Sequence, residues 1–275
     1  MLIDAHFHCW QLARGDYGWL TPALAPIYRD VAVRDWQAES SPLGVAGGVL
    51  VQAAPTEAET HFLLQQADSH PEVLGVVGWA DLLAPDAPQR IAALAAHPRL
   101  KALRPMLQDI ADSDWILQDA LAPALDAMVQ HGLVFDALVQ PRHLPRILAL
   151  ARRYPALQLV IDHGAKPDIG SAAWQPWADD LYALAHHTTA VCKLSGLLTE
   201  AGPQPAPDVA RRWCRHILDS FGAWRVLWGS DWPVLELAAS YADWWHEVQA
   251  QLQHLGEPER AAVLGGNARR VYGLN

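Results

Sequence analysis

The sequence predicts one α/β domain, residues 1–275, folded as a (β/α)8 TIM barrel. Three observations predict it. Short, nearly continuous apolar runs, of the kind expected for parallel strands covered on both faces, alternate with amphipathic stretches. Eight such alternations follow one another, and 275 residues is an ordinary length for one barrel. No composition shift, low-complexity tract or short-period repeat marks a boundary between domains.

The first strand is the run Leu2 to Trp10, which carries His6 and His8 two residues apart. Side chains alternate along a strand, so both imidazoles point the same way, and Asp4, of equal parity, is expected one layer deeper. Residues 11 to 30 form a long irregular stretch holding Arg14, Asp16, Tyr17 and Trp19, and long loops at strand ends tend to be functional. A short helix over 31 to 40 leads to strand two, Val45 to Ala53. Thr56 and Glu59 make a capping-box pattern that opens a helix to about His70. Strand three is Val73 to Ala80, and a helix runs from Pro85 to His97. Strand four, Leu100 to Arg104, is stopped by Pro105. A helical stretch over 114 to 131 is expected to be broken in two by Pro123.

Strand five is Leu133 to Val139, followed by a helix over 143 to 154. Strand six is Leu157 to His163, with the next helix from Trp174 to His187. Strand seven is Ala190 to Ser195. A Pro-rich loop, 202 to 207, leads to a helix ending near Phe221, and strand eight is Arg225 to Asp231. Leu237, Tyr241, Trp244, Val248, Leu252 and Leu255, at spacings of three and four, predict a long final helix.

Composition narrows the function. With 51% hydrophobic and 18% charged residues the chain can fill one large core. A net charge of −10 argues against nucleic acid or an anionic membrane as partner, since both demand a basic face. The three cysteines are odd in number and have no zinc-ribbon or redox spacing, which fits a reduced, cytoplasmic setting. The first strand opens at residue 2, leaving no room for a secretory signal, and no apolar run approaches the ~20 residues that span a bilayer. Thirteen tryptophans hint at a buried subunit contact and thus a homodimer.

A barrel of this kind keeps its chemistry at the C-terminal ends of its strands. The polar residues there are His6, His8, Gln52, Arg104, Asp136, Asp162, His163, Lys193, Ser195, Ser230 and Asp231. Buried ionisable groups in a barrel often only pair with one another, and that reading suits Gln52, Asp136, Asp162, Lys193, Ser195 and Ser230. For His6, His8, His163 and Asp231, strand-end position and residue type agree on chemistry. Two converging neutral imidazoles hold a metal ion or bind a polar ligand.

That combination, His-x-His on strand one, a histidine on strand six and an aspartate ending strand eight, resembles the amidohydrolase superfamily. More closely it is similar to the branch of sugar lactonases of the L-fuconolactonase and L-rhamnonolactonase type, which also holds the pyrone-dicarboxylate lactonases. The matching segments are IDAHFHCW with the following DYGWL, KALRP, FDALV, DHGAKPDI, KLSGLLTE, WGSDWPV and GGNARRVYGL, which span the chain. The resemblance implies a hydrolase that opens a lactone ring, a sugar (aldono) lactone as small-molecule substrate, with Asp231, His163, His6, His8 and Arg104 as catalytic residues. It implies substrate contacts from Tyr17 and Trp19 in the aromatic loop and from Lys166; Trp10 and Trp232 are further candidates to line the pocket.

Arg104 is the one arginine at a strand end, which favours the sugar branch over a pyrone dicarboxylate. Lys101 sits too early in strand four, and LVFDALVQ has no histidine, so a two-metal site is not expected. One divalent ion, zinc first, at His6, His8, His163 and Asp231 stays open, because the lactonase branch is similar to enzymes that work without metal. The rival reading is a metal-dependent nonoxidative decarboxylase of an aromatic or unsaturated acid. In the lactonase reading Asp231 activates water, and His163 or a metal at His6 and His8 polarises the carbonyl.

Overall fold

The computed structural model describes residues 1–206 and 208–274. Eight strands follow in order: β1 (Leu2–Phe7), β2 (Val45–Val51), β3 (Val73–Gly78), β4 (Leu100–Leu103), β5 (Val134–Ala137), β6 (Leu159–Ile161), β7 (Val191–Leu194) and β8 (Val226–Trp228). Each is parallel to the next, in sequence order. The ring closes just past β8, where the Asp231 N–H donates to the His6 carbonyl and the His8 N–H to the Trp232 carbonyl, both at 2.8 Å. The chain is thus a (β/α)8 barrel, as the eight alternations predict.

The helices between strands are α1 (Val33–Ser40), α2 (Glu57–Ser69), α3 (Ala87–Ala95), α4 (Ala122–Gln130), α5 (Leu144–Arg153), α6 (Trp177–His187), the single turn α7 (Leu197–Glu200) and α8 (Arg211–Phe221). After β8 come α9 (Tyr241–Leu252), α10 (Glu257–Ala261) and α11 (Asn267–Val271). Ile3, Val49, Val77, Ala102, Val134, Val160, Val191 and Leu227, one from each strand, fill the barrel interior. Small and branched side chains suit that narrow space. The larger core lies outside, between sheet and helices. There Tyr241, Trp244, Val248 and Leu252 bury the predicted stripe of α9, each worth about 1.5–3 kcal/mol as an upper bound.

The tail GGNARRVYGL closes the N-terminal end of the barrel. Asn267 Nδ2 donates to the carbonyls of Ala223 and Val226, both at 2.8 Å, and Ala268, Tyr272 and Leu274 join the interior cluster. Lys101 lies at this end too, donating to the Gly273 carbonyl at 3.1 Å, far from the strand ends that carry chemistry.

Three local expectations are corrected. Pro123 does not split a long helix: residues 115 to 121 form two 3₁₀ turns, and Pro123 sits in the first turn of α4, where its missing N–H costs nothing. The capping box of α2 is half made. Thr56 Oγ1 accepts from the Glu59 N–H at 3.1 Å, but the Glu59 carboxylate turns away to the N–H groups of Ala53 (3.0 Å) and Ala54 (2.6 Å). The tryptophan count is spent within the chain. Seven of thirteen are buried and, among the described residues, Trp224 alone is exposed, so the count carries no argument for a subunit contact.

Candidate active site

Strands six and eight end earlier than their apolar runs suggest, and the residues cut off are the polar ones. Asp162 and His163 lie beyond β6, and Ser230 and Asp231 beyond β8. His163, Gly164, Ala165 and Lys166 all have φ between 49° and 64°, one left-handed turn, and Asp231 has φ 60°. For non-glycine residues such backbone costs on the order of 1–3 kcal/mol each and persists where packing over-determines it. Here the Trp177 indole donates to the Gly164 carbonyl at 2.7 Å. Two glycines make room for the histidines. A Cβ at Gly196 would stand 2.6 Å from the His163 ring, and one at Gly229 would stand 2.8 Å from His6 Cβ.

On β1 the register against β2 shifts between Asp4 and Phe7. This bulge turns Asp4 to the opposite side from His6, correcting the expectation that it lies beneath the imidazoles. Asp4 faces the helix layer and accepts five hydrogen bonds: from the backbone N–H groups of His6 and Ser230, Ser230 Oγ, Trp36 Nε1 and Tyr241 Oη. It thereby pins β1 to the chain beyond β8, the seam that carries His6 and Asp231.

His6, His8, His163 and Asp231 come together. Asp231 Oδ1 lies 3.5 Å from His6 Nε2, 3.4 Å from His8 Nε2 and 3.7 Å from His163 Nε2, and the Nε2 atoms of His6 and His8 are 3.2 Å apart. Each outer nitrogen is anchored. His8 Nδ1 faces the Val51 carbonyl at 2.8 Å, so it carries the proton, and His163 Nδ1 pairs with Ser195 Oγ at 2.8 Å. His6 Nδ1 faces the Lys193 ammonium at 3.3 Å and accepts from it. Burial, with Lys193 and His163 nearby, holds the His6 imidazole well below its usual pKa. Burial lowers His163 to about 4 against the pull of Asp231 and Asp162. Burial alone would raise the Asp231 carboxyl, but His163, His8 and Lys166 draw it below the ordinary value. At neutral pH the cluster therefore sets an ionised carboxylate among imidazoles of which His6 and His163 are neutral.

Beneath it lies a closed ionic network. Lys193 Nζ is 2.5 Å from Asp136 Oδ2 and 2.9 Å from Asp162 Oδ1, and Tyr272 Oη donates to Asp136 at 2.9 Å. Asp162 is driven up by burial but held low overall by Lys193 and Arg104, whereas burial leaves Asp136 raised despite Lys193. Arg104 spends most of its donors on the protein: Nε and Nη2 on the Gln52 side chain and carbonyl, and Nη1 on Asp162 at 3.2 Å. Of its five N–H groups one on Nη1 remains for a ligand.

His8, His163, Asp231 and Arg104 line a cavity of about 850 Å³ at the C-terminal ends of the strands. His6 is fully buried under them. Of the residues expected to touch substrate, Trp19 and Lys166 are on the wall. Trp19 is fixed by its indole on the Ala53 carbonyl at 2.7 Å, and Lys166 pairs with Glu200 across the mouth at 3.0 Å. Trp10, Tyr17 and Trp232 are buried behind the wall, a correction. Trp10 donates to the Arg29 carbonyl and meets Trp19 edge-on at 5.6 Å, so it buttresses Trp19. Trp232 donates to Glu236, and Tyr17 packs against Trp10. Sequence reasoning missed Trp79, Leu82, Met106, Ile110, Trp115 and Glu200 on the wall. Trp79, one residue past β3, is the one that strand-end position would have found.

The donor set suits a metal ion. His6, His163 and Asp231 present ligand atoms all within 4.8 Å of one another. His8 lies outside that trio yet close to two of its members. His6, which accepts from Lys193 at Nδ1, carries its proton on Nε2 between His8 Nε2 and Asp231, the place a metal ion would take. The four separations of 3.2–3.7 Å are of the size of ligand–ligand edges in a zinc site with ~2.0–2.2 Å bonds, and the trio that meets most closely is His6, His163 and Asp231, with His8 beside it.

A strand-end cluster of this kind on a (β/α)8 barrel defines an amidohydrolase-type site. The amidohydrolase family model matches residues 3–274, and the chain belongs to that family. It is similar to an L-fucono-1,5-lactonase of Burkholderia ambifaria, 48% identical over 99% of this chain and 96% of the relative. An L-fucono-1,5-lactonase of Burkholderia multivorans is 36% identical over 99% of this chain and 96% of the relative. The crystal structure of a Burkholderia multivorans amidohydrolase with bound zinc superposes with a TM-score of 0.94 at 34% identity, covering all of both chains.

Proposed function

We propose that the barrel, as one domain over residues 1–275, is a carboxylic-ester hydrolase that opens a sugar (aldono) lactone, with L-fucono-1,5-lactone the first candidate substrate. The carrying observation is the placement of Asp231: its Oδ1 faces three imidazoles, and the residue lines the cavity. A water beside the carboxylate gives up its proton to it as the water oxygen bonds to the lactone carbonyl carbon. His163 donates from Nε2 to the oxyanion, held in that tautomer when Ser195 donates to Nδ1. The ring C–O bond then breaks, and the proton on Asp231 passes to the departing ring oxygen, giving the open hydroxy acid. The remaining Nη1 proton of Arg104 and the Lys166 ammonium orient ring hydroxyls.

His6, His8, His163 and Asp231 are the residues that would hold one divalent ion, zinc first. When bound, it would stand in place of the His163 Nε2 proton and polarise the carbonyl as a Lewis acid. The curated lactonase relatives favour this reading over the decarboxylase. A cytoplasmic location is proposed from the three free, buried cysteines; no helix among the described residues is long and apolar enough to cross a membrane.

Acid release from a panel of aldono-1,4- and 1,5-lactones, with and without chelator, tests the proposal. Turnover of L-fucono-1,5-lactone is expected. A panel left intact in both conditions, with zinc restored, overturns it.

A further inference from the structure

The cavity is larger and less polar than a hydroxylated six-membered lactone requires. Its volume of about 850 Å³ lies near the top of the range of about 300–1,000 Å³ found for drug-sized ligands. Beside the polar His8, His163, Asp231, Arg104 and Lys166, the lining is mostly apolar: the loops after β3 and β4 contribute Trp79, Leu82, Met106, Ile110 and Trp115, with Asp81, Gln108 and Asp109 as the polar members of those loops. Leu82 is buried and the other four apolar residues are half-buried. Sugar hydroxyls laid against the Leu82, Met106 and Ile110 side chains and the indole faces would lose water and gain no partner there, which is unfavourable. An apolar group there gains from leaving water.

We infer that the site also accepts lactones whose ring carries an apolar substituent, an alkyl chain or an aryl ring, seated on the Trp79–Leu82–Met106–Ile110–Trp115 wall while the carbonyl lies at Asp231. This inference rests on the lactonase reading. The chemistry is the same: water attacks the carbonyl, the ring ester bond breaks and a hydroxy acid with its apolar substituent leaves.

The test is a series of δ-lactones bearing methyl, propyl, pentyl and heptyl at C5, assayed beside L-fucono-1,5-lactone by acid release. Each methylene withdrawn from water is worth a factor of about four, so kcat/KM is expected to rise at least tenfold from methyl to pentyl. Ile110→Asp and Trp115→Ala, made separately, are each expected to lower the pentyl-to-methyl ratio about tenfold. A loss of folded protein affects both substrates alike and leaves that ratio unmoved. A flat or falling series with the sugar lactone still hydrolysed overturns this inference alone. Hydrolysis of neither overturns the lactonase reading and this inference with it. A rising series with the sugar lactone untouched supports the inference and replaces the sugar as substrate.

Discussion

Two clusters of ionisable side chains lie one above the other on the barrel axis, one built on a lysine between two carboxylates, the other on a carboxylate among three imidazoles. In the lower one, Lys193 meets Asp136 and Asp162, and Tyr272 and Arg104 complete the contacts. In the upper one, Asp231 faces His6, His8 and His163, but it, His8 and His163 border the cavity. The lower cluster is taken up by protein but for one Arg104 N–H, and the upper keeps valences for water and substrate. Aspartates stand in both, and what tells their roles apart is what their outer atoms touch.

The largest expected effect is on turnover. Asp231→Asn should lower kcat on L-fucono-1,5-lactone by about 10³-fold or more with the circular dichroism spectrum unchanged; near-normal turnover would remove the base assignment. Lys193→Met should act on stability instead, because it strands two buried carboxylates. A loss of about 3–5 kcal/mol in urea unfolding is expected, and an unchanged midpoint would break the contrast between the clusters. His163→Asn should lower kcat by about 10²–10³-fold with a smaller change in KM.

Glu59 sharpens the comparison from the side. Burial raises its carboxyl to about 7 against the Ala54 and Ala53 N–H groups, from an ordinary 4.5. The folded chain therefore holds this proton where the unfolded chain has lost it. Stability should fall as pH rises from 4.5 to 7, by about 3 kcal/mol in all, and level off above. Glu59→Gln should flatten that slope, measured as unfolding free energy at pH 5 and pH 8; equal slopes in the two proteins would refute it. The smallest effect is expected from Tyr272→Phe, about 1–2 kcal/mol of stability with kcat on the sugar lactone unaltered.

Much of this was legible in the sequence, because buried parallel strands must be apolar on both faces and so announce themselves as runs. The four residues of the upper cluster stood out for the same reason: polar side chains ending apolar runs are conspicuous. The strand ends themselves were not legible. His163 and Asp231 sit in left-handed backbone that no side-chain pattern signals, and the bulge that turns Asp4 away is a register effect with no residue signature. Aromatic residues were the weakest guide. Trp10, Tyr17 and Trp232 lie beside the motifs and are structural, whereas Trp79 and Trp115 come from other loops and meet the cavity only through tertiary folding. Glu59 fitted a helix-capping pattern, yet its carboxylate served the backbone after β2, an outcome set by burial.

The barrel axis is finished by the last stretch of chain. Tyr272 enters from below to bond Asp136, and Ala268 and Leu274 fill the space around it. The eight strands are complete by Trp228, yet their interior is not. A polypeptide halted at residue 261 should therefore collapse with a hollow, wettable floor beneath Lys193, so synthesis has to pass Tyr272 before the ion network can lock.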